Sequence, residues 1–256
     1  MRYIVMSGTS DSTKVINYLS QDSNNFILAT TVTDYGAEIA KNAGATEVIS
    51  KALRCEDFID VIKENNIDTL IDATHPFAAV ATETAIESAS KAGINYIRYE
   101  RASTVLPQSD LIYNADTFNE GAIKAKEIIE DGKLMHLAGV TTLPKITEVI
   151  DPNQVVVRVL PNNFSISNTQ KTGVPAENIV AMQGTYTKEF NKALMKEYNI
   201  KAMLTKESGE SGGAEEKINA AIELQIPVIL IKRPKIDGIE NYPIVRSIEE
   251  LAEVIE

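Results

Sequence analysis

Polar residues that could bind a ligand follow a short strand-like run at residues 67–71. They form the heptapeptide Asp72-Ala73-Thr74-His75-Pro76-Phe77-Ala78, which precedes an amphipathic segment at 80–92. Ligands bind at the carboxyl ends of strands in open α/β sheets, where loops and helix N-termini supply backbone N–H groups. Pro76 fits the first turn of the next helix, because its missing N–H costs nothing there. His75 is either a direct ligand contact or a helix-cap or packing residue.

A second candidate turn, Gly8-Thr9-Ser10-Asp11-Ser12-Thr13, separates the first apolar run from a helix. Gly8 allows close approach to the backbone, the helix N-terminus offers N–H groups, and the hydroxyls can bind phosphate oxygens. The turn is not a GxGxxG motif, so phosphate binding and a simple N-cap are both open interpretations. Asp11 would repel a phosphate if it pointed inward, and we therefore expect it to cap the helix.

The third candidate turn, Thr33-Asp34-Tyr35-Gly36, follows the second apolar run. An acidic residue in this region of dinucleotide-binding domains bonds the adenine ribose hydroxyls, and 34 − 8 = 26 is near the usual separation. Asp34 would then favour NADH over NADPH, because its charge repels a 2′-phosphate. The alternative is a solvated turn.

The second half of the chain carries similar turns. Residues 205–213 contain glycines and serines that predict an anion-binding loop, to which Lys206 adds a cation, and a surface loop is the alternative. Gly139-Val140-Thr141-Thr142 and Gln183-Gly184-Thr185-Tyr186 are expected at the same sheet edge. Basic residues within or just beyond strands would suit a substrate with many carboxylates. They are Arg98, Arg101, Arg158, Lys206 and Arg233.

The elements that position these turns occur twice. Gly8 and its strand match Gly139 and its strand at 139 − 8 = 131, and the later strands match at offsets of 131 to 133. Short Ile- and Val-rich runs alternate with amphipathic stretches, which predicts βαβ units and parallel sheets. A true duplication and a loose likeness of two Rossmann-like domains both explain the matches. We predict strands near 2–7, 26–32, 46–49, 67–72, 94–99, 133–138, 154–160, 178–182, 200–205 and 226–232.

The fold class is thus α/β, with two Rossmann-like doubly wound parallel-sheet domains and an interdomain cleft. We expect a dinucleotide-binding domain at 1–104 and a substrate domain at 105–256. Residues 101–116 should connect the halves, and 247–256 should form a closing helix. On this basis the segments 72–78 and 205–213 are opposite walls of the cleft, with the cofactor on the first side and the substrate on the second.

Composition narrows the class of protein. The 256 residues carry a net charge of −11, which argues against a general nucleic-acid binder, and an anionic small molecule remains compatible. No secretory or membrane segment is recognisable, so a cytoplasmic location is expected. With one cysteine and two histidines, we expect no disulfide and no metal site. Oligomeric state is not predicted.

The chain resembles the precorrin-6A reductase family, including its cobalt-precorrin-6A counterpart. The resemblance spans nearly the whole chain, and the segment 72–78 is its most specific part. One departure is Ser7 before Gly8, where the family usually has a second glycine. The other matching segments are Gly8-Thr9-Ser10-Asp11, Tyr99-Glu100-Arg101, Gln183-Gly184, Lys206-Glu207-Ser208-Gly209, Ile226-Pro227-Val228 and Arg233-Pro234.

This resemblance implies hydride transfer from NADH or NADPH to one double bond of the (cobalt-)precorrin-6A macrocycle, in cobalamin biosynthesis. It implies a polycarboxylate tetrapyrrole as substrate and a proton donor beside the reduced carbon. Lys206 or Ser208 is the expected donor, with His75 third. A transferase using a nucleotide-activated donor and a non-catalytic dinucleotide sensor are the alternatives.

The implied binding residues fall into two groups. The cofactor group is Gly8, Thr9, Ser10, Asp11, Ser12, Thr33, Asp34, Tyr35, Gly36, Thr74, His75 and Pro76. The substrate group is Arg101, Gly139, Gln183, Gly184, Lys206, Ser208 and Gly209.

Overall fold

A computed structural model describes residues 1–102, 106–207 and 213–255 of the chain. The backbone contacts divide it into two compact units. The first comprises Met1–Ala102 together with Pro234–Glu256, and the second lies within Ser103–Arg233. Of the described helices, none combines the length and apolar character that a membrane span requires.

The first unit is a six-stranded parallel sheet with strand order β12-β5-β4-β1-β2-β3. Its central strand is buried on both faces, with Ile4 and Val5 at 0% exposure, as a parallel sheet covered by helices requires. Its elements are β1 Arg2–Met6, α1 Ser10–Leu19, β2 Phe26–Thr31, α2 Asp34–Asn42, β3 Glu47–Ser50, α3 Cys55–Glu64, β4 Thr69–Asp72, α4 Ala79–Ala92, β5 Asn95–Tyr99, β12 Ile244–Val245 and α10 Ile248–Ile255.

The second unit has a six-stranded parallel sheet of order β6-β11-β10-β7-β8-β9. Its strands β7 and β8 pack Leu134, Val155 and Val157 at 0% exposure. Its elements are β6 Ile112–Ala115, α5 Phe118–Ile129, β7 Lys133–His136, α6 Leu143–Thr147, β8 Val155–Val159, α7 Asn163–Lys171, β9 Ile179–Ala181, α8 Lys188–Glu197, β10 Ile200–Lys206, α9 Ala214–Glu223 and β11 Val228–Ile231.

The ten predicted strands are present, and the prediction of two parallel α/β sheets is confirmed. In each sheet the strand order reverses beside the first strand of the half, at β1 and at β7. Loops diverge at such a point and leave room for a ligand at the carboxyl ends of the strands. The turns after β1 and β7 begin at Gly8 and Gly139, as the offset of 131 predicts.

Two strands were not predicted, and they change the domain boundaries. The expected connector contains β6, which pairs with β11 in the second sheet. The C-terminal segment contains β12, which pairs with β5 in the first sheet, at 244 − 112 = 132 residues after β6. The expected domain at 105–256 therefore needs correction, because residues 234–256 complete the first unit. The helix expected at 247–256 is present as α10.

Candidate functional site

The turn after β1 is tied down by its own hydroxyl groups. Thr9 is the N-cap of α1, and its hydroxyl accepts a hydrogen bond from the Ser12 amide at 3.0 Å and donates one to the Ala73 carbonyl at 2.8 Å. The buried Ser12 hydroxyl accepts from the Gly8 and Thr9 amides and donates to the Thr9 carbonyl. These bonds hold the Gly8 turn against the segment that follows β4, so the structure brings two predicted turns together.

Gly8 and Ser10 are the exposed residues of this turn. Gly8 has φ +114°, and a Cβ placed on it would meet nothing within 4 Å, so the backbone lies beside open space. A ligand can therefore approach the first N–H groups of α1 closely, as a phosphate requires. The hydroxyls of Thr9 and Ser12 serve the turn itself, which leaves Ser10 as the solvent-facing hydroxyl.

Asp11 does not cap α1, contrary to the expectation from the sequence. Thr9 takes the N-cap position, and the nearly buried Asp11 carboxylate lies 2.8 Å from Arg101 Nε and 3.9 Å from Lys14 Nζ. The ion pair forms inside the first unit, so it anchors the chain after β5 to the start of α1. Arg101 therefore belongs to the first unit, and its substrate contact stays a prediction.

A buried ion pair supports the segment 72–78. Asp72 and Arg98 are both 0% exposed, and Arg98 Nη1 lies 2.8 Å from Asp72 Oδ1. Asp72 also accepts hydrogen bonds from the Tyr96 hydroxyl at 3.1 Å and from the Thr74 amide and hydroxyl at 3.0 and 2.7 Å. Each charge is thus compensated, as buried ions require.

Arg98 is the centre of this network. Its guanidinium also donates to the Thr74 hydroxyl and carbonyl, at 3.1 and 3.2 Å, and contacts Glu100 at 3.0 Å. Burial opposes its positive charge, but Asp72 and Glu100 outweigh that effect and raise the pKa of Arg98. Burial and the Asp72 charge raise the pKa of Tyr96 as well. Arg98 therefore positions Thr74 through these hydrogen bonds, and because its side chain is fully buried it has no exposed surface for substrate.

His75 and Pro76 lie in a turn that precedes the helix. The helix α4 begins at Ala79, so the prediction of Pro76 in the first helical turn was wrong. The Phe77 amide donates to His75 Nδ1 at 3.1 Å, which places the proton of a neutral imidazole on Nε2. His75 is half-buried and follows Thr74 directly in the chain.

The turn after β2 combines a cap with a crowded glycine. Thr33 is the N-cap of α2, and its hydroxyl accepts from the Gly36 amide at 3.0 Å. A Cβ on Gly36 would collide with the Thr31 hydroxyl, so this position requires glycine. Asp34 accepts a hydrogen bond from the Ser50 hydroxyl at 3.1 Å, and Tyr35 is 71% exposed. Asp34 is therefore at the surface of this edge, beyond the end of β2.

A cavity of about 120 Å³ lies at the same edge of the first unit. It runs along the ends of β1, β2 and β3 and reaches α4. Its lining mixes hydroxyls with apolar groups, which is the usual character of a small-molecule site. The lining includes Met6, Ser7, Thr31, Val32, Leu53 and Thr74.

The turn after β7 is built around a buried histidine. His136 is 0% exposed, and its Nε2 lies 3.1 Å from the Gly139 carbonyl and 3.2 Å from the Thr142 hydroxyl. Because a carbonyl only accepts, Nε2 carries the proton and donates to Gly139. Burial lowers the pKa of His136 to about 4, so the ring is neutral at physiological pH. The histidine fixes the backbone of Gly139, one of the predicted substrate-binding residues.

The turn after β9 holds Gln183 and Gly184, which are both exposed. The Tyr186 hydroxyl donates to the Gln183 carbonyl at 3.0 Å, and its ring stacks on Phe190 at 4.7 Å between centroids. The Arg158 guanidinium lies 5.4 Å from the centroid of the Tyr186 ring. Gln183 and Gly184 therefore belong to a turn that is held by Tyr186, and the Tyr186 ring contacts Arg158 near the end of β8.

Lys206 ends β10 at the same edge, and burial lowers its pKa. The predicted residues Ser208 and Gly209 lie outside the described residues. Arg233 contacts Glu207 at 3.7 Å, so this candidate cation has an acidic partner within the second unit.

Sequence reasoning missed Lys217. This lysine is 3% exposed on α9, and its neighbours on the buried face are Ala214, Ile218 and Ala221. A lysine in an i, i+3, i+4, i+7 apolar stripe is the signal that could have identified it.

The family model described as precorrin-6x reductase CbiJ/CobK matches residues 2–256. A cobalt-precorrin-6A reductase of Methanothermobacter thermautotrophicus is 41% identical over 98% of this chain and 82% of its own length. One of Methanocaldococcus jannaschii is 40% identical over 100% and 98%. A solved CobK precorrin-6A reductase superposes with TM-score 0.76 and 20% identity, covering 100% and 96%, which supports the fold.

Proposed function

The chain belongs to the precorrin-6x reductase CbiJ/CobK family and is a reductase of cobalamin biosynthesis, and we propose that its substrate is the cobalt-precorrin-6A macrocycle. The observation that carries this proposal is the match of the family model to residues 2–256, which includes both units. The named relatives at 40–41% identity are cobalt-precorrin-6A reductases, which favours the cobalt-bearing form. The transferase and sensor alternatives are not favoured.

The first unit supplies groups that suit a nicotinamide dinucleotide. The open space at Gly8 and the N–H groups of α1 fit the pyrophosphate, and the 120 Å³ cavity beside them has room for part of the adenosine half. Ser10, Thr74 and His75 would complete the binding surface. When bound, the reduced nicotinamide supplies the hydride, and the chain's task is to align it with one macrocycle carbon and exclude water.

NADH is the preferred donor in this proposal. Asp34 lies beyond the end of β2, where the ribose hydroxyls of a dinucleotide bind in this fold class. Its carboxylate accepts from Ser50 and carries no described ion pair, so its negative charge would repel a 2′-phosphate. Thr33, Tyr35 and Gly36 surround it, and Gly36 keeps the backbone close to Thr31.

Lys206 is the proton donor in this proposal. Burial lowers the pKa of its ammonium group, which makes the lysine a stronger acid near neutral pH. It occupies the carboxyl end of β10, next to β7 and the Gly139 turn. Gln183 and Gly184 would contact the macrocycle from the turn after β9.

The test is reduction of cobalt-precorrin-6A and of metal-free precorrin-6A with NADH or NADPH. Consumption of the cofactor, with a matching change in the macrocycle's absorption spectrum, is the expected result. Lys206→Met, Ser208→Ala and His75→Ala are then compared for single-turnover rate, and loss is expected first for Lys206→Met. Full single-turnover activity in Lys206→Met would exclude it as the donor, and no spectral change with either substrate would exclude the function.

A further inference from the structure

Basic side chains gather at the carboxyl edge of the second sheet. Lys206 ends β10 and Arg158 lies near the end of β8, with β7 between these two strands. Lys217 on α9 lies close enough that the charges of Arg158 and Lys206 lower its pKa, after burial as the main cause. Arg158 thus lies on the face of the sheet that α8 and α9 cover, where Lys217 is also found, whereas the strand register places Lys206 on the opposite face at the end of β10.

Lys217 is the most unusual of the three. Its side chain is almost completely buried, and no described carboxylate lies within ion-pair distance of Lys217 or Arg158. Burying an ammonium group without a partner is costly, so buried lysines are normally paired or kept uncharged. The described residues supply neither a hydrogen-bond acceptor nor a negative charge, and an anionic ligand would supply both.

Arg158 is presented in a form that suits a carboxylate. Its Nη1 donates to the buried Asn191 amide oxygen at 3.1 Å, and Asn191 in turn donates to the Tyr186 and Thr187 carbonyls. The ring of Tyr186 covers one part of the guanidinium. The guanidinium group of Arg158 is therefore held in place, and its remaining N–H groups make no hydrogen bond to a described residue. A planar fork of this kind binds carboxylates in a bidentate manner.

An apolar surface adjoins these cations on the same edge. Leu160, two residues after Arg158, is 50% exposed, and Phe164 in the first turn of α7 is 63% exposed. The stacked pair Tyr186 and Phe190 lies at the start of the neighbouring helix α8. Exposed large apolar residues beside cations fit an apolar ring system that carries acidic side chains.

We propose that Arg158 and Lys217 bind a carboxylate side chain of the macrocycle, whose ring lies against Leu160, Phe164, Tyr186 and Phe190. This inference rests on the proposed function; it adds Lys217, which the sequence patterns did not identify, and gives Arg158, one of the basic residues noted in the sequence, a specific partner. The carboxylate of the bound substrate pairs with the ammonium group of Lys217, for which the described residues of the second unit supply no negative charge.

The test compares steady-state kinetics of Lys217→Met, Lys217→Arg and Arg158→Met with the wild type. Loss of one charged hydrogen bond to a carboxylate should raise KM for the tetrapyrrole about 10- to 100-fold in Lys217→Met and Arg158→Met. Lys217→Arg should retain much of the affinity. Lys196→Met, which removes an exposed lysine from α8, is the matched control and should leave KM unchanged. The dissociation constant of NADH, measured by its fluorescence, should not change in any variant.

A binding measurement without turnover separates this inference from the proposed function. Uroporphyrin, a stable tetrapyrrole with eight carboxylates, is titrated against each variant while its fluorescence is recorded. Weaker binding by Lys217→Met and Arg158→Met, but not by Lys196→Met, supports the carboxylate site. Unchanged KM and uroporphyrin affinity in both variants would overturn it, even if the wild type reduces the substrate. Failure of the wild type to reduce either precorrin overturns the proposed function instead.

The alternative to a bound ligand is a carboxylate of the chain itself as the partner of Lys217. Glu210, which lies outside the described residues, is the candidate for that partner. Glu210→Gln is therefore included. If Glu210 were the partner of Lys217, introducing Glu210→Gln into the wild-type chain would change its melting temperature. Introducing the same substitution into the Lys217→Met chain would then have no effect. That result, together with an unchanged KM in Lys217→Met, would overturn the proposal.

Discussion

Replacing Lys217 with methionine should stabilise the second unit, and the gain should depend on pH. Methionine has a similar length and no charge, so it fills the same buried space without the cost of desolvating an ammonium group. Burial, with Arg158 and Lys206 nearby, lowers the pKa of Lys217 from 10.5 to about 7. A difference of one in pKa corresponds to about 1.4 kcal/mol. The full effect on the free energy of unfolding is therefore about 5 kcal/mol.

The direction follows from proton binding. Between pH 7 and 10.5 the lysine is protonated in the unfolded chain and largely uncharged in the folded unit, so the unfolded state binds more protons. Stability of the wild type then rises with pH across this window, and the lysine costs most below pH 7. The advantage of Lys217→Met should be about 5 kcal/mol at pH 6, about 4 at pH 7 and about 1 at pH 10.

Urea unfolding of both proteins at pH 6, 7, 8, 9 and 10 measures this dependence. The difference between variant and wild type removes the pH effects of the other titratable groups. His136 stays neutral in the folded unit throughout the range, because its pKa is about 4. A stability difference that is constant from pH 6 to pH 10 would show that Lys217 titrates normally and is not desolvated. Lys196→Met should show such a constant and small difference, since that lysine is exposed.

Three further predictions concern the first unit. Arg98→Met leaves the Asp72 carboxylate buried without its cation and should cost about 3–5 kcal/mol in urea unfolding, whereas adding Asp72→Asn should recover part of the loss. No recovery in the double variant would contradict the pairing. Gly36→Ala forces a Cβ against the Thr31 hydroxyl and should cost about 1–3 kcal/mol, and Thr31→Ala in the same chain should relieve the clash. Asp34→Asn should raise the ratio of kcat/KM for NADPH to that for NADH about tenfold, and an unchanged ratio would show that Asp34 does not face the ribose.

Most of the fold could be predicted from the sequence, because each buried strand is a short apolar run between turn residues. The strands β6 and β12 could not, since β6 has two exposed residues and β12 has only two residues in all. Their places depend on pairing with β11 and β5, which are distant in the sequence. The two contact units part between residues 102 and 103, near the predicted boundary, but residues 234–256 belong to the first unit, which the sequence did not indicate.

The candidate site was predictable in part for a related physical reason. The turns after strands are local, and their residues lie at the expected sheet edges. Pairs such as Asp11 with Arg101 and Asp72 with Arg98 join residues far apart in the chain, so spacing alone gives no information about them. Asp11 consequently looked like a helix cap, and Arg98 looked like a substrate contact. The strand pattern of β5, in which Arg98 occupies a buried position, was a local sign that the arginine is internal.

Arg98 and Lys217 show how a charged residue at a core position can be assigned a role. Both replace an apolar residue that the period of their element would favour, and both pay for it in desolvation. Arg98 has Asp72, Glu100 and Thr74 around it, all from the same unit, so its charge is balanced before any ligand binds. Lys217 has only like charges as its identified electrostatic neighbours. A buried charge needs a partner, and this requirement gives opposite conclusions for the two residues. Arg98 has its partners within the unit and positions a turn, whereas the proposed partner of Lys217 is the carboxylate of a bound ligand.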